Sequence, residues 1–332
     1  MALTAADLAT IGDAPVAVQS VAFPNVYLRT DGRGVTSATS AGSGTVNCQF
    51  GRPSPWESYR VHRQANGSVA LESIAFPGVY LRMGGEGVTA TLPAGGGTVN
   101  CQFGAGPSEN YHVRDQAGGS VALESAAFAN VHMRMDGGGV TSYTGPGGGT
   151  VNCQFGVASY EKFFLVLADQ HLDFAIQAQQ QNNWCWAATS ASVASYFEPA
   201  TNWTQCAIAD AEVGPADCCG AGAGGETCNK PWFLDTALDR VGHFRQFSGG
   251  ALSTTQVGVE LASSTPVGVR IGWNGGGGHF VIVRGRFRDD NGVEYVSVSD
   301  PWGGVNSDVT YNAFRNNYLG AGTWTHSYRT QS

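Results

Sequence analysis

The sequence predicts two domains of different class: an all-β domain over about residues 14–167, then an α+β domain over residues 170–332. Three observations predict this. The first half is a threefold repeat with a period of about 52 residues. Within each copy, short runs such as VYLRM and TVNCQF alternate apolar and polar residues between glycine-rich turns, the period-two pattern of strands. After Asp169 the repeat stops, and DFAIQAQQQNNWCWAATSASVASYF begins a stretch with helical spacing.

The repeat reads VAFPNVYLRTDGRGVTS at 21–37, IAFPGVYLRMGGEGVTA at 74–90 and AAFANVHMRMDGGGVTS at 126–142. GTVNCQFG recurs at 44–51, 97–104 and 149–156, and the copies end in ESYRV, ENYHV and EKFFLV. Three copies of about four short strands predict a β-trefoil, a closed barrel with pseudo-threefold symmetry, and closure removes the sheet edges that invite aggregation. A propeller would want more and shorter blades, and a solenoid has no reason to stop at three. Cys48, Cys101 and Cys153, one in each VNCQFG, read as small buried residues at one symmetric core position.

Composition narrows the function classes. The net charge is −8 and no basic run occurs, which argues against nucleic acid as a partner. No stretch approaches 18 apolar residues, so no membrane span is expected. The start, MALTAADLATIG, lacks a basic region followed by a long apolar one, so export would need a removed signal peptide or another route. Of the eight cysteines, Cys206, Cys218, Cys219 and Cys228 fall within 23 residues. Their irregular spacing without C-x-x-C favours disulfides over zinc, and so an oxidising, extracellular setting with no metal or other cofactor. A bond between adjacent Cys218 and Cys219 would strain the backbone. Two pairings remain: 206–218 with 219–228, or 206–219 with 218–228, the second preferred.

The second half opens on WCWAATSASVASYF, 184–197, where Trp186, Thr189, Ser190, Val193 and Phe197 recur at roughly helical intervals. Asn182 or Asn183 is the expected N-cap. Cys185 then lies in the first turn, where unpaired N–H groups and the helix dipole favour a thiolate, the form that attacks carbonyl carbon. A nucleophile needs a base and a group that orients the base. GWNGGGGHFVIVRG places His279 at the start of an apolar strand after four glycines, and VSVSDPWGG places Asp300 at the end of another, followed by Trp302. His62, His112 and His132 belong to the repeat, and His171, His243 and His326 have no such neighbours. SGGALSTTQVGVELASSTPVGVRIGW reads as a capped helix, a proline break and a strand. That strand, the His279 strand, EYVSVSD and TWTHSYRT are expected to form an antiparallel sheet opposite the Cys185 helix, with the active site between them.

Two resemblances extend this reading. SVALESIAFPGVYLRM at 68–83 resembles the arabinofuranosidase-B type of carbohydrate-binding trefoil and, more distantly, fascin-like trefoils. Sugar-binding members follow YLR with a histidine and add acidic residues in each lobe, whereas Thr30, Met83 and Met135 stand there in this chain. The family's pocket therefore does not carry over. Tyr27 and Tyr80 are candidates to stack on sugar rings, and Asp31 and Asp136 to bind hydroxyls. The plainer alternative makes the tyrosines core and the aspartates turn formers.

Gln179 six residues before Cys185, then Cys–Trp–Ala, a later histidine opening a strand, and DPWG together resemble the papain-like cysteine proteases, closest to short bacterial ones that are secreted or injected into hosts. The resemblance implies an oxyanion hole from the Gln179 side chain and the N–H of Cys185, with Gln180 and Gln181 as competing glutamines. It implies that Asp300 takes the place of the usual asparagine, that Trp302 shields the His279–Asp300 bond, and that Trp186 supports the site. The expected function is a secreted cysteine endopeptidase acting on polypeptides, targeted by a trefoil that binds carbohydrate or a surface protein. The alternatives are a lectin-like or toxin protein whose papain-like half is inert, and an enzyme that passes the acyl group to an amine instead of water.

Overall fold

The computed structural model describes residues 2–214, 217–220, 222–289 and 291–332, and the chain divides after Asp169 into two compact units. The first unit is β-rich, a twelve-stranded sheet in three copies of four. The first copy holds β1 (Val16–Ser20), β2 (Val26–Asp31), β3 (Thr45–Phe50) and β4 (Ser58–Arg63). The second holds β5 (Val69–Ser73), β6 (Val79–Gly84), β7 (Thr98–Phe103) and β8 (Asn110–Asp115), and the third β9 (Val121–Ser125), β10 (Val131–Asp136), β11 (Thr150–Phe155) and β12 (Phe163–Leu167). In each copy the middle two strands form a hairpin. The outer strands pair in a ring, β1–β4–β5–β8–β9–β12 and back to β1, every pairing antiparallel. This is the trefoil-like arrangement that the repeat period predicts.

The structure also explains why VNCQFG is identical in all three copies. Its asparagine donates to a backbone carbonyl of another copy: Asn47 to Pro146, Asn100 to Ala41 and Asn152 to Ala94, at 2.9, 2.7 and 2.8 Å. Its glutamine Oε1 accepts a backbone N–H from the same loop: Gln49 from Thr144, Gln102 from Thr39 and Gln154 from Leu92, at 3.0, 2.8 and 3.0 Å. Its cysteine fills the space where a Cβ on the neighbour's glycine would stand, Cys101 against Gly44, Cys153 against Gly97 and Cys48 against Gly149. Each of these side chains thus fastens one copy to the next. Burial, with the nearby charges of Asp136 and Asp31 respectively, pushes the Cys48 and Cys101 thiols up to about 12, and burial pushes Cys153 up to about 11. All three stay protonated and unreactive at neutral pH.

The second unit pairs helices with one sheet. The helices are α1 (Cys185–Phe197), α2 (Gln205–Val213), α3 (Leu234–Arg240), α4 (Thr254–Ala262) and α5 (Tyr311–Asn317). The strands are β13 (Gln170–His171), β14 (Phe244–Gly249), β15 (Val267–Trp273), β16 (Gly278–Arg288), β17 (Glu294–Asp300), β18 (Val305–Thr310) and β19 (Gly322–Thr330). The sheet runs β14-β19-β15-β16-β17-β18, with β13 added on β16. The four expected strands are its contiguous centre. β14 and β18 are edge strands, largely exposed and polar, which is why no alternating pattern announces them. Residues 186–194 of α1 are all buried. A helix enclosed on every side owes its stability to packing, here of Trp186, Ala187, Ala191 and Val193 in one core with Ile271, Val281, Val283 and Val298 of the sheet. The capped helix is α4, where Gln256 N–H donates to Ser253 Oγ at 3.2 Å and Ser253 N–H to Gln256 Oε1 at 2.9 Å.

One expectation is corrected. Neither Asn182 nor Asn183 caps α1: Trp184 holds the cap position without a side-chain bond. Asn183 is engaged elsewhere, its N–H donating to Asn229 Oδ1 at 2.9 Å and its side-chain amide to Asn229 O at 3.0 Å. The cysteine cluster adopts the crossed pairing. Cys206–Cys219 and Cys218–Cys228 lie at bonding distance, with sulfur separations of 2.12 and 2.01 Å. Among the described residues, no helix is long and apolar enough to cross a membrane.

Candidate active site

Three elements bring Cys185, His279 and Asp300 together. Cys185 is the first residue of α1, where backbone N–H groups lack intrahelical partners. His279 lies one residue into β16 and Asp300 ends the adjacent antiparallel β17, so both sit at one end of the sheet. His279 Nε2 and Asp300 Oδ1 are 2.6 Å apart, and both side chains are buried. With Nε2 engaged by Asp300, Nδ1 is the ring nitrogen left for Cys185, which lines the same cleft. Burial by itself would lower the pKa of His279. The bonds to Asp300 and Cys185 and their negative charge outweigh it and raise the pKa to about 9. The imidazole is therefore protonated at neutral pH.

Asp300 is itself held from two sides. Its Oδ1 also accepts the backbone N–H of Trp302 at 2.8 Å, and its Oδ2 accepts the hydroxyl of Tyr318 at 3.0 Å. Tyr318 is buried, and burial together with the Asp300 charge pushes its phenol pKa up. Trp273, the last residue of β15, lies nearly parallel to His279, with ring centroids 6.3 Å apart, and to Tyr318 at 6.4 Å. The family resemblance assigns the shielding role to Trp302, whose indole is 62 % exposed and lines the same cleft as His279 and Asp300. Pro301 and the positive-φ glycines Gly303 and Gly304 turn the chain there, and Trp302 serves Asp300 through its backbone N–H.

The tryptophans on either side of Cys185 point inward. Trp184 and Trp186 are buried, and their Nε1–H groups donate to the carbonyls of Cys228 and Lys230, at 2.8 and 3.1 Å. With the Asn183–Asn229 pair, the segment carrying the thiol is fastened on both sides to Cys228 and the two residues that follow it, at the end of the loop that the Cys218–Cys228 disulfide closes. Gln179 donates its backbone N–H to Pro301 O at 2.8 Å and its side-chain amide to the carbonyls of Gln181 and Asn182 at 2.9 and 2.8 Å. Its Oε1 is buried without a hydrogen-bond partner among the described residues. Gln179 therefore braces the turn before Cys185, while Asn182 and Asn183 line the cleft. Gln180 is exposed, and its N–H is taken by Gln205 Oε1 at 2.9 Å.

Sequence reasoning missed Tyr318, Trp273 and Asn229. Trp273 had a weak signal, since it precedes the glycine run before His279. Tyr318 and Asn229 had none, because each reaches the site from an element distant in sequence.

The thiol opens on a cleft of about 960 Å³. Phe233, Phe247, Tyr328, Leu319 and Trp302 are among its lining residues, with the Phe247 and Tyr328 rings 5.6 Å apart. Phe233 and Leu319 are 64 % and 74 % exposed. Large exposed apolar groups gathered on a concave surface mark a binding site for apolar chemistry.

The trefoil candidates do not converge. Tyr27 is a buried core residue, which removes it as a stacking platform. Tyr80 is half-buried, with its ring 5.6 Å from that of His62. Asp31 is chelated by Arg33 at 2.9 and 2.6 Å. Asp136 accepts the backbone N–H of Gly138 at 3.1 Å, as a turn former does.

Residues 168–319 match a family model described as papain-like cysteine protease AvrRpt2, so the C-terminal half is similar to that family. No curated protein matches the chain. Among solved structures the chain resembles the Polyporus squamosus lectin bound to a human-type influenza-binding epitope, at 12 % identity over 89 % of this chain and 94 % of that one, with a TM-score of 0.38. It resembles the protein of a PSL1a–E64 complex at 11 % identity, over 95 % and 98 %, with a TM-score of 0.37. It also resembles a mosquitocidal holotoxin at 7 % identity and a TM-score of 0.36, covering 52 % of this chain and only 20 % of that one. At these scores the structural likenesses carry no weight for function.

Proposed function

We propose that the C-terminal unit, papain-like by family likeness, is a secreted cysteine endopeptidase, and that the N-terminal unit is a β-trefoil that brings it to a carbohydrate or a surface protein. The observation that carries the first part is the buried His279–Asp300 pair in one cleft with Cys185, which stands at a helix N-terminus.

In this reading Cys185 and His279 rest as thiolate and imidazolium. The thiolate attacks the carbonyl carbon of a peptide whose bulky apolar side chain lies against the apolar part of the cleft lining, Phe233 and Phe247 among it. The carbonyl oxygen becomes an oxyanion, held by the Cys185 N–H and by the Gln179 amide, which exchanges one of its two carbonyl partners for it. Such contacts tighten only once substrate is bound. His279 gives its proton to the leaving amine, the C–N bond breaks, and a thioester remains. Water then attacks the thioester, His279 takes its proton, and the acid leaves with the thiolate restored. Asp300 fixes the ring throughout. The two disulfides fit work outside the reducing cytosol.

An epoxide directed at papain-like thiols tests this. Mass spectrometry should find Cys185 modified and activity lost together, with Cys48, Cys101 and Cys153 untouched. Equal labelling of a repeat cysteine would refute the activated-thiol argument. Digestion of a peptide in heavy-oxygen water should place the label in the new carboxyl terminus, and its absence would favour acyl transfer to an amine.

A further inference from the structure

A threefold repeat separates scaffold from function. Residues shared by all copies hold the barrel, whereas residues that diverge are free for another purpose. Three divergent positions converge on one cavity of about 400 Å³ in the first unit. Arg33 corresponds to Glu86 and Gly138, Trp56 to Ser108 and Tyr160, and Tyr143 to Ala38 and Thr91 in the other copies. In space, Arg33 and Trp56 of the first copy face Tyr143 of the third, and Arg29, Ser54 and Glu57 complete the lining.

The cavity is built rather than incidental. The loop bearing Tyr143 is pinned on both sides. Thr144 N–H donates to Gln49 Oε1 at 3.0 Å, Arg29 donates to Gly145 O at 3.2 Å, and Asn47 to Pro146 O at 2.9 Å. Arg29 lies over Trp56 at 4.5 Å and 3.7 Å from Glu57, so that guanidinium is fixed and its charge matched. Asp31 grips Arg33 and matches the second. Tyr143 remains 67 % exposed at the mouth. Balanced charge excludes a strongly ionic ligand. An exposed aromatic face beside fixed polar groups suits a ring with one apolar face and a rim of hydroxyls. The volume lies near the lower end of the roughly 300–1,000 Å³ that small-molecule sites occupy.

We infer that this cavity, made where Arg33 and Trp56 of the first copy meet Tyr143 of the third, by residues the other copies do not repeat, is the binding site for a neutral mono- or disaccharide. The inference rests on the carbohydrate-binding reading of the trefoil and gives that reading a place. Tyr143 stacks on the sugar's apolar face, Arg33 donates to ring hydroxyls, and the Ser54–Glu57 side accepts from them.

Fluorine NMR of the full chain carrying fluorotryptophan tests it, because Trp56 is the single tryptophan of residues 1–169. Its resonance is assigned by its loss in Trp56→Phe. The probes are galactose, glucose, mannose, arabinose, N-acetylglucosamine and their disaccharides, with affinities measured by calorimetry. One probe should shift the Trp56 resonance and leave the other seven tryptophans in place. Tyr143→Ala and Arg33→Ala, both at exposed side chains, should each weaken that probe at least tenfold with unchanged melting curves. Glu86→Ala, the second-copy counterpart of Arg33, should leave the affinity unchanged. A probe that binds with Trp56 unmoved and with full affinity in Tyr143→Ala overturns this site and leaves carbohydrate binding standing elsewhere on the unit. Binding by none of the probes overturns the site and the carbohydrate reading together.

Discussion

Asp300→Ala should lower kcat/KM by about 10³–10⁴-fold, the cost of losing the orienting group of a nucleophile–histidine–carboxylate set, while Cys185 remains open to alkylation. The carboxylate accepts from His279 Nε2 and Trp302 N–H on one oxygen and from Tyr318 on the other. Alanine strands all three donors. Asp300→Asn should be milder, because the amide oxygen it introduces accepts from His279 and Trp302 while the amide NH₂ meets a Tyr318 hydroxyl that is able to accept instead of donate. The pH profile separates charge from geometry. Asp300 helps to hold the pKa of His279 at about 9. The active form is the imidazolium, so wild-type activity falls as pH rises through about 9. Asparagine keeps the acceptor and removes the charge, so the basic limb should move to lower pH. A merely turn-forming Asp300 would instead lower the melting temperature in both variants and leave the limb in place.

The second large effect is expected at Cys218–Cys228. Replacing both cysteines by alanine should cost about 2–5 kcal/mol, roughly 4–20 °C in melting temperature for a unit of this size. It should also slow alkylation of Cys185, because the bond anchors Cys228, whose carbonyl receives the Trp184 indole, and the adjoining Asn229 and Lys230, which hold Asn183 and the Trp186 indole. Cys206–Cys219 differs: Cys219 is exposed, whereas Cys218 and Cys228 are buried. A mild reductant should therefore open Cys206–Cys219 first with activity retained, and activity should fall only when the inner bond is cut. Unchanged melting and unchanged alkylation in the double variant would show that the loop does not position the thiol.

The parts of this protein legible in its sequence are those written in local pattern. Period-two runs between glycines specify β1 to β12, and the identical copies specify threefold closure. That Cys185, His279 and Asp300 would share one cleft was readable because each stands at the end of an element with a recognisable signature. The N-cap was misplaced because the pull on Asn183 comes from Asn229, far along the chain. The bond from the Trp302 N–H to Asp300 was not readable, because a turn beginning at Pro301 creates it. Tyr318 was invisible, since nothing near α5 hints that its hydroxyl reaches Asp300. The identity of VNCQFG in three copies was plain, but its reason, contact with the next copy, exists only in the closed ring.

That ring has a consequence for assembly. The asparagine, cysteine and glutamine of each copy are all addressed to a neighbour. A chain made of one copy would hold these groups and lack the loop that receives them. Three such chains, each serving the next around a threefold axis, would close the same circle by a head-to-tail interface. A one-copy chain should thus be unfolded when dilute and a trimer when concentrated, its melting temperature rising with concentration. The present chain has the same interfaces on a single polypeptide and should melt independently of its concentration.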